Sequence, residues 1–261
     1  MSDSAKTYVY GVIPAANASS WPADIVGIEG AGSPVRIVVE GDLAALVSDL
    51  APDHTPGRRE DVETHRTVLE HAIDHEATTI PMRFGIVMDD DDAVRERLLS
   101  KHRDELHGLL QDLDGRVQMT VKAFYADDAL LEDALSADPQ LVEKSSLIDQ
   151  LPETERIQIG ELLAKAVDAR RAQVEAALLD ELSPLADKVQ VDPPSGERGA
   201  LNAQVLIHRD RRQELDDKVH RMSEGLRGLL GFRYVGPLPP YSFASMSLEE
   251  AGQENGHEDG P

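Results

Sequence analysis

Val117-Gln118-Met119-Thr120-Val121-Lys122-Ala123-Phe124-Tyr125 is the stretch on which the fold turns. Val117, Met119, Val121 and Ala123 alternate with Gln118, Thr120 and Lys122, the period of two expected of a strand with one face in a core. Downstream, a helical pattern runs from about Pro152 to Leu182, with Ile159, Leu163, Val167, Val174, Leu178 and Leu182 as its apolar stripe. Pro152 sits where a first helical turn tolerates proline. A strand follows near Lys188–Val191, then the turn Pro193-Pro194-Ser195-Gly196, then a strand alternating through Leu201, Ala203, Val205 and Ile207. Leu215, Val219, Met222, Leu226 and Leu229 step by four and three as a helical seam, and Phe232–Val235 closes the series as a strand. The string is β-α-β-β-α-β, the ferredoxin-like order, which folds as one antiparallel sheet with both helices on one face. Its first helix would run roughly 45 Å at 1.5 Å per residue, more than a small sheet covers. A helical extension is expected there: the helix overhangs, breaks, or pairs with a second helix upstream.

Upstream the patterns also mix strands with helices. Thr7–Ile13 has strand composition and ends at Pro14, and Ala15–Pro34 reads as a long loop rich in small residues and breakers. Strands are expected at Val35–Val39 and near Ala45–Leu50. A helix is expected from Arg58 to Glu76, with Val62, Leu69, Ala72 and Ile73 on its stripe. Thr79–Val87 returns to a period of two, with Ile80, Met82, Phe84 and Ile86 on one side and Arg83 and Gly85 on the other. A second helix should start at the Asp89–Asp92 run and reach Leu113, the acids capping it and complementing its dipole. The fold class is therefore α+β with two domains, an N-terminal one over 1–113 and a ferredoxin-like one over 114–247. Residues 248–261 form a tail too acidic and too poor in apolar groups to order itself.

Composition narrows the function. The chain of 261 residues carries 49 acidic against 26 basic side chains, a formal charge of -23. Such a surface repels phosphate backbones and anionic lipid, so nucleic acid and membrane surface are poor partners. Solubility and a salty cytoplasm both account for the excess of acid. The absence of cysteine removes disulfides, thiolate metal sites and thiol nucleophiles and fits a reducing compartment. No stretch approaches the roughly 20 apolar residues of a membrane span, and Met1–Lys6 has no signal-peptide character, so a soluble, cytoplasmic protein is expected.

Readings that would give the chain chemistry mostly fail on spacing. His71 and His75 lie four apart on the expected helix, but no further histidine follows Glu76 at metalloprotease spacing, and His65 is displaced by roughly 120° around the helix. A solvated or structural helix face accounts for them. His102 falls on an apolar stripe as a packing residue. Asp89–Asp92 lacks the spaced acids and glycine of a calcium loop. Gly27, Gly30 and Gly32 precede Pro34 and a strand rather than a helix, so a phosphate there would have no helix N-terminus, and loop flexibility is the expected role. Phe124, Phe232 and Tyr234 lack the interleaved bases of an RNA-binding sheet. No catalytic residue, cofactor or metal is expected.

Three segments, in order, resemble the gas vesicle protein F/L family: Tyr8-Val9-Tyr10-Gly11-Val12; Ile80-Pro81-Met82-Arg83-Phe84-Gly85-Ile86-Val87 with Val121-Lys122-Ala123-Phe124; and Gly236-Pro237-Leu238-Pro239-Pro240-Tyr241-Ser242-Phe243. The last is the most specific, although the family commonly has Trp where Leu238 stands. The resemblance implies a non-enzymatic accessory protein for forming gas vesicles, the shells that give cells buoyancy. It would bind the small hydrophobic shell protein and other accessory proteins, and would have two α+β domains, the second a modified ferredoxin-like fold. Tyr8, Tyr10, Arg83, Phe84, Gly85, Gly236, Pro237, Pro239, Pro240, Tyr241, Ser242 and Phe243 are then the candidate motif or interface residues. By their own chemistry, the prolines stop the last strand at Val235 and stiffen the segment beyond it. Tyr241 and Phe243 are expected to staple the C-terminus onto a domain, and Arg83 to pair with an acid between domains. The alternative is a ligand-sensing regulatory ferredoxin-like protein, with a closed pocket between sheet and long helix.

Overall fold

The structure, a computed structural model, describes residues 6–22, 24–28, 30–75, 77–136, 141–143, 148 and 151–244. It is an α+β protein that separates into two compact units, Met1–Gln118 with the segment from Pro237 onward, and Met119–Gly236. The sequence pattern puts this division at 113 and gives the closing segment to the second domain. That segment counts with the first unit, where Tyr241 bonds to His65 and the Ser242 N–H to Gln118.

In the first unit, β1 (Lys6–Pro14) is the centre of the sheet. Tyr8, Val9, Tyr10, Val12 and Ile13 are all fully buried, which only a strand covered on both faces permits. It pairs antiparallel with β5 (Leu43–Leu50), which pairs in turn with β4 (Arg36–Glu40). On its other side β1 meets two short strands, β6 (Ile80–Pro81) and β7 (Val87–Met88). The expected single strand Thr79–Val87 is thus broken by a turn at Phe84-Gly85, where Gly85 has φ 94°.

Helix α1 (Arg59–Asp74) packs on β1 through Val68, Leu69 and Ala72. Its buried side is Asp61, His65, Val68, Leu69 and Ala72, and Val62, expected on the stripe, is exposed. Asp61 fixes the helix start by accepting the Gly57 and Arg58 N–H groups at 3.0 and 2.9 Å. The expected helix 89–113 is interrupted. Asp90 caps a short first turn, α2 (Asp91–Ala93), by accepting the Ala93 N–H at 2.8 Å; a wide π-turn covers Val94–Ser100, and α3 (Arg103–Leu113) follows.

The stretch 15–34 is more ordered than a loop. It holds a 3-10 turn (Ala15–Ser20) and the paired strands β2 (Val26–Gly27) and β3 (Gly30–Pro34). Gly27 is present for close approach rather than flexibility: a Cβ there would fall 2.6 Å from Ser48 Cβ and 2.5 Å from the Ser33 carbonyl oxygen.

The second unit contains β8 (Arg116–Tyr125, its first residues counting with the first unit), α4 (Ala129–Ser136), α5 (Glu153–Leu182), β9 (Lys188–Val191), β10 (Gly199–His208), α6 (Arg212–Gly225) and β11 (Leu230–Leu238). Its sheet order is β11-β8-β10-β9. The long helix α5 is unbroken. It buries Ile159, Val174, Leu178 and Leu182, packs beside α4, and its Arg170 holds Asp133 of α4 through two bonds of 2.6 and 2.9 Å. The last strand runs on to Leu238 rather than stopping at Val235. β11 is an edge strand, where a proline without N–H costs no ladder bond. The acidic tail expected over 248–261 lies outside the described residues.

Candidate functional site

The motif residues from three distant parts of the sequence meet at His65, which is 3% exposed. β1 brings Tyr8 and Tyr10 side by side on the face toward α1, their ring centroids 4.9 Å apart. The His65 ring stacks on Tyr10 at 5.6 Å and stands edge-on to Tyr8 at 5.7 Å. Phe84, from the turn after β6, closes another side, edge-on to His65 at 5.7 Å. Tyr241 arrives from the closing segment.

The polar atoms of this cluster form a chain of hydrogen bonds. The Met82 carbonyl, 3.1 Å from His65 Nε2, only accepts, so Nε2 carries the ring proton and Nδ1 accepts from the Tyr8 hydroxyl at 2.9 Å. The Tyr8 oxygen accepts in turn from the Gly85 N–H at 3.0 Å. Residue 85 has a positive φ, which glycine adopts without a steric penalty. The Tyr241 hydroxyl lies 3.0 Å from Nε2 and shares its proton with Met82. Tyr10 accepts from the Ile28 N–H at 2.9 Å and meets Ser48 Oγ at 2.8 Å, tying the β2–β3 hairpin to the sheet.

Burial sets the charge state. It drives the His65 pKa down from 6.5 to about 4, slightly opposed by the Met82 carbonyl, so the ring is neutral at pH 7. It pushes Tyr241 up to about 12, and Tyr8 and Tyr10 upward also, against the N–H groups of Gly85 and Ile28 that favour their ionised forms. The cluster is thus an uncharged hydrogen-bonded lock, in which each hydroxyl has a fixed partner.

The other candidates lie along the closing segment or on the surface. Gly236 and Pro237 lie within the last residues of β11, while Pro239 and Pro240 are buried. The chain then turns rather than staying extended: the Tyr241 N–H donates to the Pro239 carbonyl at 2.8 Å and the Phe243 N–H to the Pro240 carbonyl at 3.0 Å. The Ser242 N–H donates to Gln118 Oε1 at 3.1 Å, and Phe243 is half-buried. Arg83 is exposed and has no ion pair among the described residues, so the acid expected opposite it is not there. It follows the buried Met82 on the outside of the turn.

Sequence reasoning missed His65 as the meeting point. The available signal was its place one helical turn after Asp61 and three before Val68, on the side of α1 that carries Leu69 and Ala72. His71 and His75 are on another side, with rings 6.3 Å apart and the His75 Nδ1–H donated to the His71 carbonyl. Among the described residues no group of three or more His, Cys, Asp or Glu is placed to hold a metal ion. No described helix is long and apolar enough to cross a membrane.

Comparison with known proteins places these features in context. Residues 6–245 match the family described as gas vesicle synthesis protein GvpL/GvpF. Gas vesicle protein F of Streptomyces sp. (strain CB03234) is 35% identical over 240 residues, covering 91% of this chain and 98% of that one. Gas vesicle protein L of the same strain is 30% identical over 275 residues, covering 96% and 97%. The crystal structure of GvpF from Anabaena sp. PCC7120 superposes with a TM-score of 0.83 at 27% identity, covering 94% of this chain and all of that one.

Proposed function

Since the chain belongs to the GvpL/GvpF family of gas vesicle synthesis proteins, we propose that it is a non-enzymatic, cytoplasmic accessory factor. In this reading it binds the small hydrophobic shell protein and other accessory proteins while the vesicle is assembled. The observation that carries the reading is the match over residues 6–245, which includes all three motif segments. The higher identity to the Streptomyces F protein than to its L protein, 35% against 30%, favours the F role.

The geometry supports a binding rather than a chemical role for the chain. Tyr8, Phe84, Gly85 and Tyr241 are spent on holding the first unit together, with His65 neutral among them. Partner contacts then fall to the outer surface of that unit. The second unit is read as a modified ferredoxin-like domain, since its strands lie in the order fourth, first, third, second, and α5 with its companion α4 supplies the helical extension.

The test is a strain lacking this chain in a host that makes gas vesicles. Loss of buoyancy, restored by the full chain, is the expected result. Normal flotation together with failure of the shell protein to co-purify with the tagged chain would overturn the proposal.

A further inference from the structure

An open groove of about 720 Å³ runs along the first unit between α1 and the segment leading into β2. One wall is Glu60, Glu63, Thr64, Thr67, His71 and His75, which recur by three and four and so form a single side of α1 about four turns, or roughly 22 Å, long. The other wall is Pro22, Asp24, Ile25 and Val26, and Val26 is 46% exposed for a large apolar side chain. The walls contain three carboxylates and no lysine or arginine. Glu63 is shared with Arg59 at 2.8 Å, whereas Asp24 and Glu60 have no ion-pair partner among the described residues. The groove therefore offers the exposed Val26 and half-buried Pro22, with Ile25 buried beneath them, flanked by the carboxylates of Asp24 and Glu60, unpaired among the described residues.

We propose that this groove is the docking site for a cationic amphipathic helix of a protein partner, with its apolar stripe on Val26 and Pro22 and its Lys or Arg side chains on Asp24, Glu60 and Glu63. Charge complementarity selects this occupant: an acidic helix is repelled, as are nucleic acid and anionic lipid. The repeat along α1 matches side chains at i, i+3, i+4 and i+7 of a helix laid beside it. The inference goes beyond the reading above and does not depend on which protein supplies the helix.

The test uses the full chain and a synthetic Leu/Lys amphipathic peptide of about 15 residues, a length near the minimum for a stable helix. Trp21, the only tryptophan and the neighbour of Pro22, reports binding by its emission, and a labelled peptide gives the affinity by anisotropy. Saturable binding at one peptide per chain is expected. Glu60→Lys/Glu63→Lys and, on the other wall, Val26→Lys should each weaken it at least about tenfold, the size of one lost charge-assisted contact. Reversal of two exposed acids in the second unit, Glu155→Lys/Glu161→Lys, should leave it unchanged, and a peptide with Ser for Leu should not bind. Circular dichroism of each variant checks that it is folded. Equal binding by the groove variants, equal loss on reversing the distant acids, or equal binding of the Ser peptide would each overturn the proposal in favour of general attraction to an acidic chain.

Discussion

The Tyr241 hydroxyl lies 3.0 Å from Nε2 of His65, a contact that joins residues 176 positions apart. Through it the closing segment is tied to the first unit, with Tyr241 itself left 42% exposed. Replacing Tyr241 by Phe removes that hydroxyl and should lower stability by about 1 kcal/mol. Tyr241→Ala should cost more, because the ring contacts go as well. Urea unfolding with an unchanged slope and a lower midpoint is the expected signature.

His65 is the larger single determinant. His65→Ala would leave the Tyr8 and Tyr241 hydroxyls and the Met82 carbonyl short of a partner. It would also open a void between Tyr10 and Phe84. The expected loss is about 3 kcal/mol or more. A midpoint within error of the parent would contradict the assignment of His65 as the centre of the lock.

The same residue gives a pH dependence of definite sign. Its pKa is about 4 in the folded chain against the ordinary 6.5, so between these values the unfolded chain binds more protons. Stability therefore has no His65 penalty above about pH 7 and falls as pH drops from 6.5 toward 4, by about 3 kcal/mol in all. Comparing the parent with His65→Gln across pH 4–7.5 isolates this effect. The parent's advantage should shrink steadily with acidification, and a constant difference would refute it.

Gly27 provides a steric test. An added methyl meets Ser48 Cβ at 2.6 Å and the Ser33 carbonyl oxygen at 2.5 Å, neither of which is the far end of a flexible side chain. Gly27→Ala should cost roughly 1–3 kcal/mol as an overpacked site. Thermal denaturation checks it, with Gly57→Ala, where nothing lies within 4 Å, as the tolerant control.

How far the sequence pattern reaches varies by residue. Val117, Met119, Val121 and Ala123 alternate with polar residues and all four are buried, but Gln118 and Thr120 between them are buried as well. On β10 Leu201, Ala203, Val205 and Ile207 are buried, and so are Ala200, Asn202, Gln204 and Leu206, so the period locates these strands but does not tell how many of their faces are covered. Val62 and His65 show the limit. Hydropathy puts Val62 inside and His65 outside, yet tertiary bonding from Tyr8, Met82 and Tyr241 makes the reverse arrangement favourable. Gly27 reads as flexibility unless the approach of Ser48 is known, and Pro237 reads as a stop unless β11 is known to be an edge strand. Each miss concerns a partner far away in sequence, which local pattern does not encode. The motif residues themselves are recognisable, but not that Tyr8, Tyr10, Pro239 and Pro240 are buried while Arg83, Gly85, Gly236 and Tyr241 stay exposed.

The decisive experiment is to tag the full chain in a vesicle-forming host and ask whether the small shell protein co-purifies with it during assembly. An accessory factor that binds the shell protein should retain it, and cells lacking the chain should lose buoyancy. Absence of the shell protein from the purified fraction, in cells that float equally well with and without the chain, would contradict that role.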